Sequence, residues 1–298
     1  MIRTLSYILV LVCAGVLCSC ISEDIHVLES EYDICFDVAV ASATKSVDSP
    51  NDYPTDVPFR LWALDCSDDK AKAGKYIIEG EDVRHSDGVW KTDTRHSWPD
   101  SSNLAFFAVS PAMINVGFSL DHGITYPGFD STSDDLFLCT ASAVEHEKPE
   151  TGEPVSLMFS SPFCRLGFSA FSSAGEGVEL AVTGITLLGL NTTGDFKSLP
   201  EFKWSGLREA EDVVVFDGHL KLSEDNVAAG KDLYIIPQDL QIKVKYEYRI
   251  TPDDIVRYGE QIVTPGNTMR PECGKWRPYL LKVTTEFVEI QKPKKYEE

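Results

Sequence analysis

Basic side chains are scarce in this 298-residue chain, where 27 lysines and arginines stand against 47 aspartates and glutamates for a formal net charge of −20. Nothing gathers the few cations into a patch, so the groove that neutralises phosphates is missing and nucleic acid is excluded as a partner. The patterns that carry catalysis and metal binding are missing too. His26, His85, His96, His122, His146 and His219 are dispersed without the paired spacing of a zinc site. Gly117-Phe118-Ser119-Leu120-Asp121 lacks the second glycine of a nucleophile elbow, and neither a Gly-rich phosphate loop nor a calcium loop occurs. Acid pairs such as Asp68-Asp69 and Asp253-Asp254 need a cleft to work in glycoside hydrolysis or calcium binding, and in so acidic a chain they read as solvated surface. The expectation is a protein without catalytic residues, metal or cofactor. No C-x-x-C pair is present, and beyond residue 20 the cysteines are Cys35, Cys66, Cys139, Cys164 and Cys273. An odd, widely spaced set argues against a disulfide scaffold, leaving buried apolar thiols and room for one bridge whose partners the spacing does not name.

What the chain does carry begins at its N-terminus. Arg3 precedes an uncharged run from Leu5 to Leu17 that is too short for a comfortable transmembrane helix and suits a signal peptide over residues 1–19. Leu17-Cys18-Ser19-Cys20 resembles a bacterial lipobox, which makes Cys20 the candidate lipidation site and residues 20–30 a tether. Acyl chains of the palmitate kind on Cys20 would hold the protein to the outer membrane without spanning it, each buried methylene contributing about 0.8 kcal/mol. Ordinary cleavage with Cys20 incidental is the other reading. Ile21-Ser22-Glu23-Asp24 resembles the acidic export signal of surface-displayed lipoproteins, with the periplasmic leaflet as the alternative address.

Apolar residues recur with a period of two, and no long 3.6-residue period follows the leader. Ile34, Phe36, Val38 and Val40 share one face of a strand, and Ile242, Val244, Tyr246, Tyr248 and Ile250 alternate with Lys243, Lys245, Glu247 and Arg249. Tyr279, Leu281, Val283, Thr285 and Phe287 alternate in the same way. Asp87-Gly88 and Asp217-Gly218 read as two-residue hairpin turns, and Asn191-Thr192-Thr193-Gly194 as a further turn. Asp134 to Glu147 is a candidate short helix, and Thr251-Pro252-Asp253-Asp254 a candidate single turn. The polar, proline-bearing stretch from Glu147 to Pro154 suggests a boundary, giving β-domains over 31–152 and 153–291 and a polar tail over 292–298. A long excursion within one domain is the alternative.

Several segments, taken in order, resemble the fimbrillin family, the surface and pilus subunits of Bacteroidales-type bacteria. They are Trp98 to Ala108, with its Trp-Pro turn and Phe-rich strand; Ser133-Asp134-Asp135-Leu136; Val155 to Phe159; Gly184 to Leu190 with Gly194-Asp195-Phe196; and Leu233 to Gln238, with an Ile-Pro-Gln step. Ser160 and Ser161 replace a histidine usual in that family, and the segment from Lys275 departs from its pattern. The resemblance implies an all-β chain of two tandem transthyretin-like Greek-key β-sandwich domains, exported as a lipoprotein. It implies a structural, anchoring or tip subunit of a fimbria, or an adhesin, that assembles with other subunits or with itself by strand addition. For polymerising members it also implies trimming after the first strand by a protease specific for basic residues, which makes Lys45 the candidate cut site. Tyr279, Leu281, Val283, Thr285 and Phe287 form the candidate donor strand. A host or bacterial surface receptor or glycan is the remaining partner class. The competing reading is a glycan-binding lipoprotein of a nutrient uptake system, with exposed faces among Trp62, Trp90, Trp98, Trp204 and Trp276.

Overall fold

The computed structural model describes residues 33–41, 51–66, 75–99, 103–140, 144–149 and 152–292. The leader, Cys20 and Lys45 lie outside the described residues, as does the tail beyond Lys292. Residues from Asp33 onward form one compact unit, and it is built almost wholly of strands. The chain is all-β, as its alternating polarity requires.

The first sheet takes β1 (Phe36–Val40), β2 (Asn51–Asp52), β3 (Phe59–Asp65), β4 (Tyr76–Ser86), β5 (Val89–Thr92) and β6 (Leu104–Ser110). The chain then leaves it for β7 (Gly117–Ser119) and β8 (Gly123–Asp130), and returns in β9 (Leu138–Thr140), β10 (Val144–His146) and β11 (Val155–Ser160). Its strand order is β10-β6-β3-β4-β5-β1-β11-β9, and β9 also pairs with β6, so the sheet closes on itself. The enclosed core is aromatic, with Phe36, Phe59, Phe106 and Phe159 each no more than 2% exposed. The apolar run of β6 is buried at all seven positions because both of its faces are covered.

Two more sheets complete the unit. β12 (Cys164–Phe171) starts the second half and is followed by a long hairpin of β13 (Val178–Lys197) and β14 (Lys203–Lys221). β15 (Val227–Ala228), β16 (Leu233–Ile235), β17 (Gln241–Ile250), β18 (Asp253–Val263), β19 (Trp276–Val283) and β20 (Val288–Gln291) follow. One sheet runs β15-β12-β19-β20 with β16 also on β12; the other runs β18-β17-β13-β8-β7 with β14 along the far side of β13. Thus β8, from the first half of the sequence, joins a sheet of the second, with Gly194 opposite Phe129 and Phe196 opposite Tyr126. Phe129, Phe137, Phe163 and Phe196 pack together there, and Trp204 donates its indole N–H to the Pro162 carbonyl at 2.8 Å. One shared core therefore binds both halves.

Several local readings change in the folded chain. Asp87-Gly88 is the expected hairpin turn between β4 and β5, with φ of 54° and 84°. Asp217-Gly218 and Asn191 to Gly194 are not turns: they lie inside β14 and β13, where the pairing shifts register four times and bulges absorb the turn-forming residues. No helix forms between Asp134 and Glu147 among the described residues; β9 and β10 lie there. Val155–Ser160, which the sequence assigns to the second half, pairs with β1 in the first sheet. The alternation that starts at Tyr279 is cut at Val283, because the Thr284 hydroxyl accepts the Phe287 and Glu286 amides at 3.0 and 3.2 Å and folds a tight turn.

Inside the second core the Tyr279 hydroxyl donates to the Met269 carbonyl at 2.9 Å. Replacing Tyr279 by phenylalanine strands that buried acceptor and is expected to cost about 1–3 kcal/mol in urea unfolding. Burial also pushes the phenol well above the ordinary value of 10.0, so the fold holds it neutral. Its contribution is complete below the unfolded value and is lost as pH rises past it, so the wild type should lose more stability than Tyr279→Phe above pH 10.

Candidate assembly site

The strand with the least ordinary position is β1. It runs parallel to β11 over five pairs, from Phe36 opposite Val155 to Val40 opposite Phe159. Two further bonds extend this ladder: the Val155 N–H donates to Cys35 O at 2.8 Å and the Ala41 N–H to Phe159 O at 2.7 Å. On its other side the contact is sparse. Phe36 alone pairs with β5, opposite Trp90, and the Ile34 N–H donates to His96 O at 2.9 Å. Asp33 makes an isolated antiparallel bridge to Ser97 on that side, and the two residues of β2 pair with Ala39 and Val40.

Alternation decides what this strand contributes. Ile34, Phe36 and Val38 are buried while Asp37 is exposed. The Phe36 ring meets Phe106 edge-on at 5.6 Å between centroids and Phe59 at 6.3 Å. Tyr53 stacks on Phe159 and turns its edge to Trp90, which lines the same cavity wall, and its hydroxyl is hydrogen-bonded to Ser110. A strand in this place therefore fills a row of aromatic-walled pockets spaced by two residues. Burying three such side chains is worth about 4.5–9 kcal/mol at roughly 1.5–3 kcal/mol each.

The other predicted residues are distributed as follows. Tyr279, Leu281 and Val283 lie in β19, an interior strand paired with β12 on one side and β20 on the other, and all three are fully buried. Thr285 falls in the turn after it, and Phe287 is 41% exposed beneath the Lys282 ammonium, 5.7 Å from the ring centroid. Trp62, Trp90 and Trp98 are buried, Trp204 is tied into the shared core, and the Arg165 guanidinium lies 6.0 Å from the Trp276 ring. Three of the five tryptophans are thus buried, and Trp204 and Trp276 are half-buried.

Two surface clefts among the described residues lie in the second half. The larger, about 510 Å³, is lined by Leu188, Leu240, Thr264, Asn267 and the Asp239–Arg270 pair, in which two guanidinium nitrogens bond the carboxylate at 2.8 and 2.7 Å. In the smaller, about 240 Å³, Lys221 lies 3.5 Å from Glu179 and His219 3.5 Å from Glu247. Arg249 of the smaller cleft pairs with Asp254 at 3.4 Å. No group of three or more His, Cys, Asp or Glu side chains is placed to hold a metal ion among the described residues.

What sequence reasoning missed is the register that makes β1 distinctive. Its alternation was visible, but a parallel partner some 120 residues away leaves no local mark.

No family model and no curated protein matches the chain. Solved structures do match. A proposed cell adhesion protein from Bacteroides uniformis superposes with a TM-score of 0.51 at 11% identity, over 87% of this chain and 96% of that one. A proposed cell adhesion protein from Bacteroides ovatus gives 0.49 at 16% identity, over 88% and 96% of the two chains. The fimbrial anchor protein Mfa2 from Porphyromonas gingivalis gives 0.36 at 12% identity, over 87% and 95%. Across nearly its whole described length, this chain has the all-β fold of the Bacteroides uniformis protein.

Proposed function

We propose that this chain is a fimbrillin-like subunit of the cell surface, held to the outer membrane by lipid on Cys20. In this reading it is a non-enzymatic structural, anchoring or tip subunit of a fimbria, or an adhesin on the same fold, and it joins other subunits or a second copy by strand addition. The observation that carries the reading is the seat of β1. Three alternate apolar side chains fill the first core, the ladder is continuous on one side and interrupted on the other, and Lys45 follows shortly after in the sequence. The fold shared with the Bacteroides uniformis protein supports it.

Cleavage after Lys45 would detach β1 from the covalent chain and open its row of pockets. An incoming strand must then run parallel to β11 and carry apolar residues at alternate positions, with main-chain bonds fixing its register. The Tyr279–Val283 segment could serve as donor only after leaving both β12 and β20, whose core it fills.

Limited digestion of the purified protein with a protease specific for basic residues tests this. A ladder of oligomers resisting mild denaturant should appear, and Lys45→Gln should abolish it. A protein that stays monomeric after cleavage at Lys45, or a ladder indifferent to Lys45→Gln, would sink the assembly reading. Release of Cys20→Ala protein from the membrane fraction checks the anchor separately.

A further inference from the structure

Three cysteines from distant parts of the sequence meet where the two halves join. Cys139, the middle residue of β9, is fully buried and stands opposite Ser160 of β11 and Val109 of β6. Cys164 opens β12, is also fully buried, and donates its thiol proton to the Lys275 carbonyl at 3.3 Å. Cys273 lies half-buried in the turn that leads into β19.

Backbone bonds clamp this turn onto the start of β12. The Gly274 N–H donates to Phe163 O at 2.9 Å, and the Arg165 N–H to Lys275 O at 3.0 Å. The parallel ladder begins with Arg165 opposite Trp276, so Cys164 faces Lys275, two residues from Cys273, across the roughly 4.8 Å that separates neighbouring strands. The same turn abuts the first half: a Cβ on Gly274 would stand 3.4 Å from the carbonyl oxygen of Ser161, the neighbour of the Ser160 that faces Cys139. The turn that holds Cys273 therefore touches the start of β12, which carries Cys164, and the end of β11, which faces Cys139. The thiols sense one another: burial raises Cys273 and Cys164 adds to it, while burial raises Cys139 and Cys273 adds to that.

We propose that Cys273 and Cys164 form a disulfide when the protein meets a small-molecule disulfide, and that Cys139 is a third thiol that can take the place of Cys164 in it. The first bridge lies within the second half; the second links the two halves.

The chemistry is thiol–disulfide exchange. Cys273, the accessible partner, loses its proton to solvent and attacks the external disulfide; its S–S bond breaks, one small thiolate leaves and is protonated, and a mixed disulfide forms on Cys273. Cys164, on losing its proton, attacks the Cys273 sulfur and expels the second small thiol. Two cysteine thiols are oxidised and one external disulfide is reduced to two thiols. Burial pushes Cys273 up to about 12 and Cys164 up to about 11, so both are protonated at neutral pH. The rate should therefore climb by about tenfold per pH unit between pH 7 and 9.

The test is to treat the full chain with oxidised glutathione at pH 9, alkylate the remaining thiols and digest without reduction, using a glutamate-specific protease. That enzyme cuts between Cys139 and Cys164, at residues such as Glu147 and Glu150. Mass spectrometry should find the Cys164 and Cys273 peptides joined, two hydrogens lighter than their sum, with Cys35 and Cys66 alkylated. Cys273→Ser should leave no bridge, and Cys164→Ser should move it to Cys139. The proposal is overturned if Cys35, Cys66, Cys139, Cys164 and Cys273 of the wild type are all alkylated, if Cys35 or Cys66 is the partner, or if Cys273→Ser still yields a bridge. Absence of the Cys139–Cys273 bridge in Cys164→Ser overturns the exchange.

Discussion

Replacing Phe36 by alanine is expected to lower the unfolding free energy by about 3–5 kcal/mol, the usual cost of deleting a ring from a packed core. The ring is 2% exposed and contacts Phe59 and Phe106, both fully buried. The walls of its pocket belong to β3 and β6, which are paired to each other and cannot close over the gap without breaking that ladder. The void should therefore persist. Asp37 next to it is exposed, and Asp37→Ala should change stability by less than about 0.5 kcal/mol. Urea unfolding of the two variants measures the difference directly. A loss below about 1 kcal/mol for Phe36→Ala would mean that β1 is not seated in the first core.

The same contrast explains how much the sequence revealed. Alternation reports which face of a strand meets the core, and it is correct wherever one face is wet: β17 buries Ile242, Val244 and Tyr246 and exposes Gln241 and Lys245. Turn chemistry succeeded at Asp87-Gly88, where Ser86 pairs with Val89 across the two residues and the ladder of β4 with β5 starts at once. It failed at Asp217-Gly218 because β13 offers a partner along almost the whole of β14, and a ladder of that length carries local turn formers through as bulges. It failed in the opposite sense at Thr284, where a hydroxyl captured two amides and ended a strand whose polarity pattern would have continued. Non-local features left no mark. The passage of β8 into the sheet of the second half, the return of β11 to β1 and the meeting of Cys139, Cys164 and Cys273 all depend on pairing between segments far apart in sequence. The candidate site was half legible: Ile34, Phe36 and Val38 could be read as a buried face, while the parallel partner β11 against which that face is seated could not.

A chain that starts after Lys45 should show the largest effect of all. Without β1 the first core loses Ile34, Phe36 and Val38 together, about 4.5–9 kcal/mol of burial, against a total stability of roughly 5–15 kcal/mol for an ordinary domain. It also leaves β11 with an unpaired parallel edge from Val155 to Phe159. Hydrogen exchange should then show β3, β6 and β11 losing protection, while β13 and β17, packed in the second core, keep theirs. A synthetic peptide of residues 33–41 should restore protection, because it brings back both the ladder and the three pocket fillers. The same peptide with Ile34, Phe36 and Val38 replaced by serine keeps the backbone donors and loses the fillers, so it should fail. Restoration by both peptides would show that backbone pairing alone selects the incoming strand; restoration by neither would show that the vacated place cannot be refilled, and strand addition at this site would fall with it.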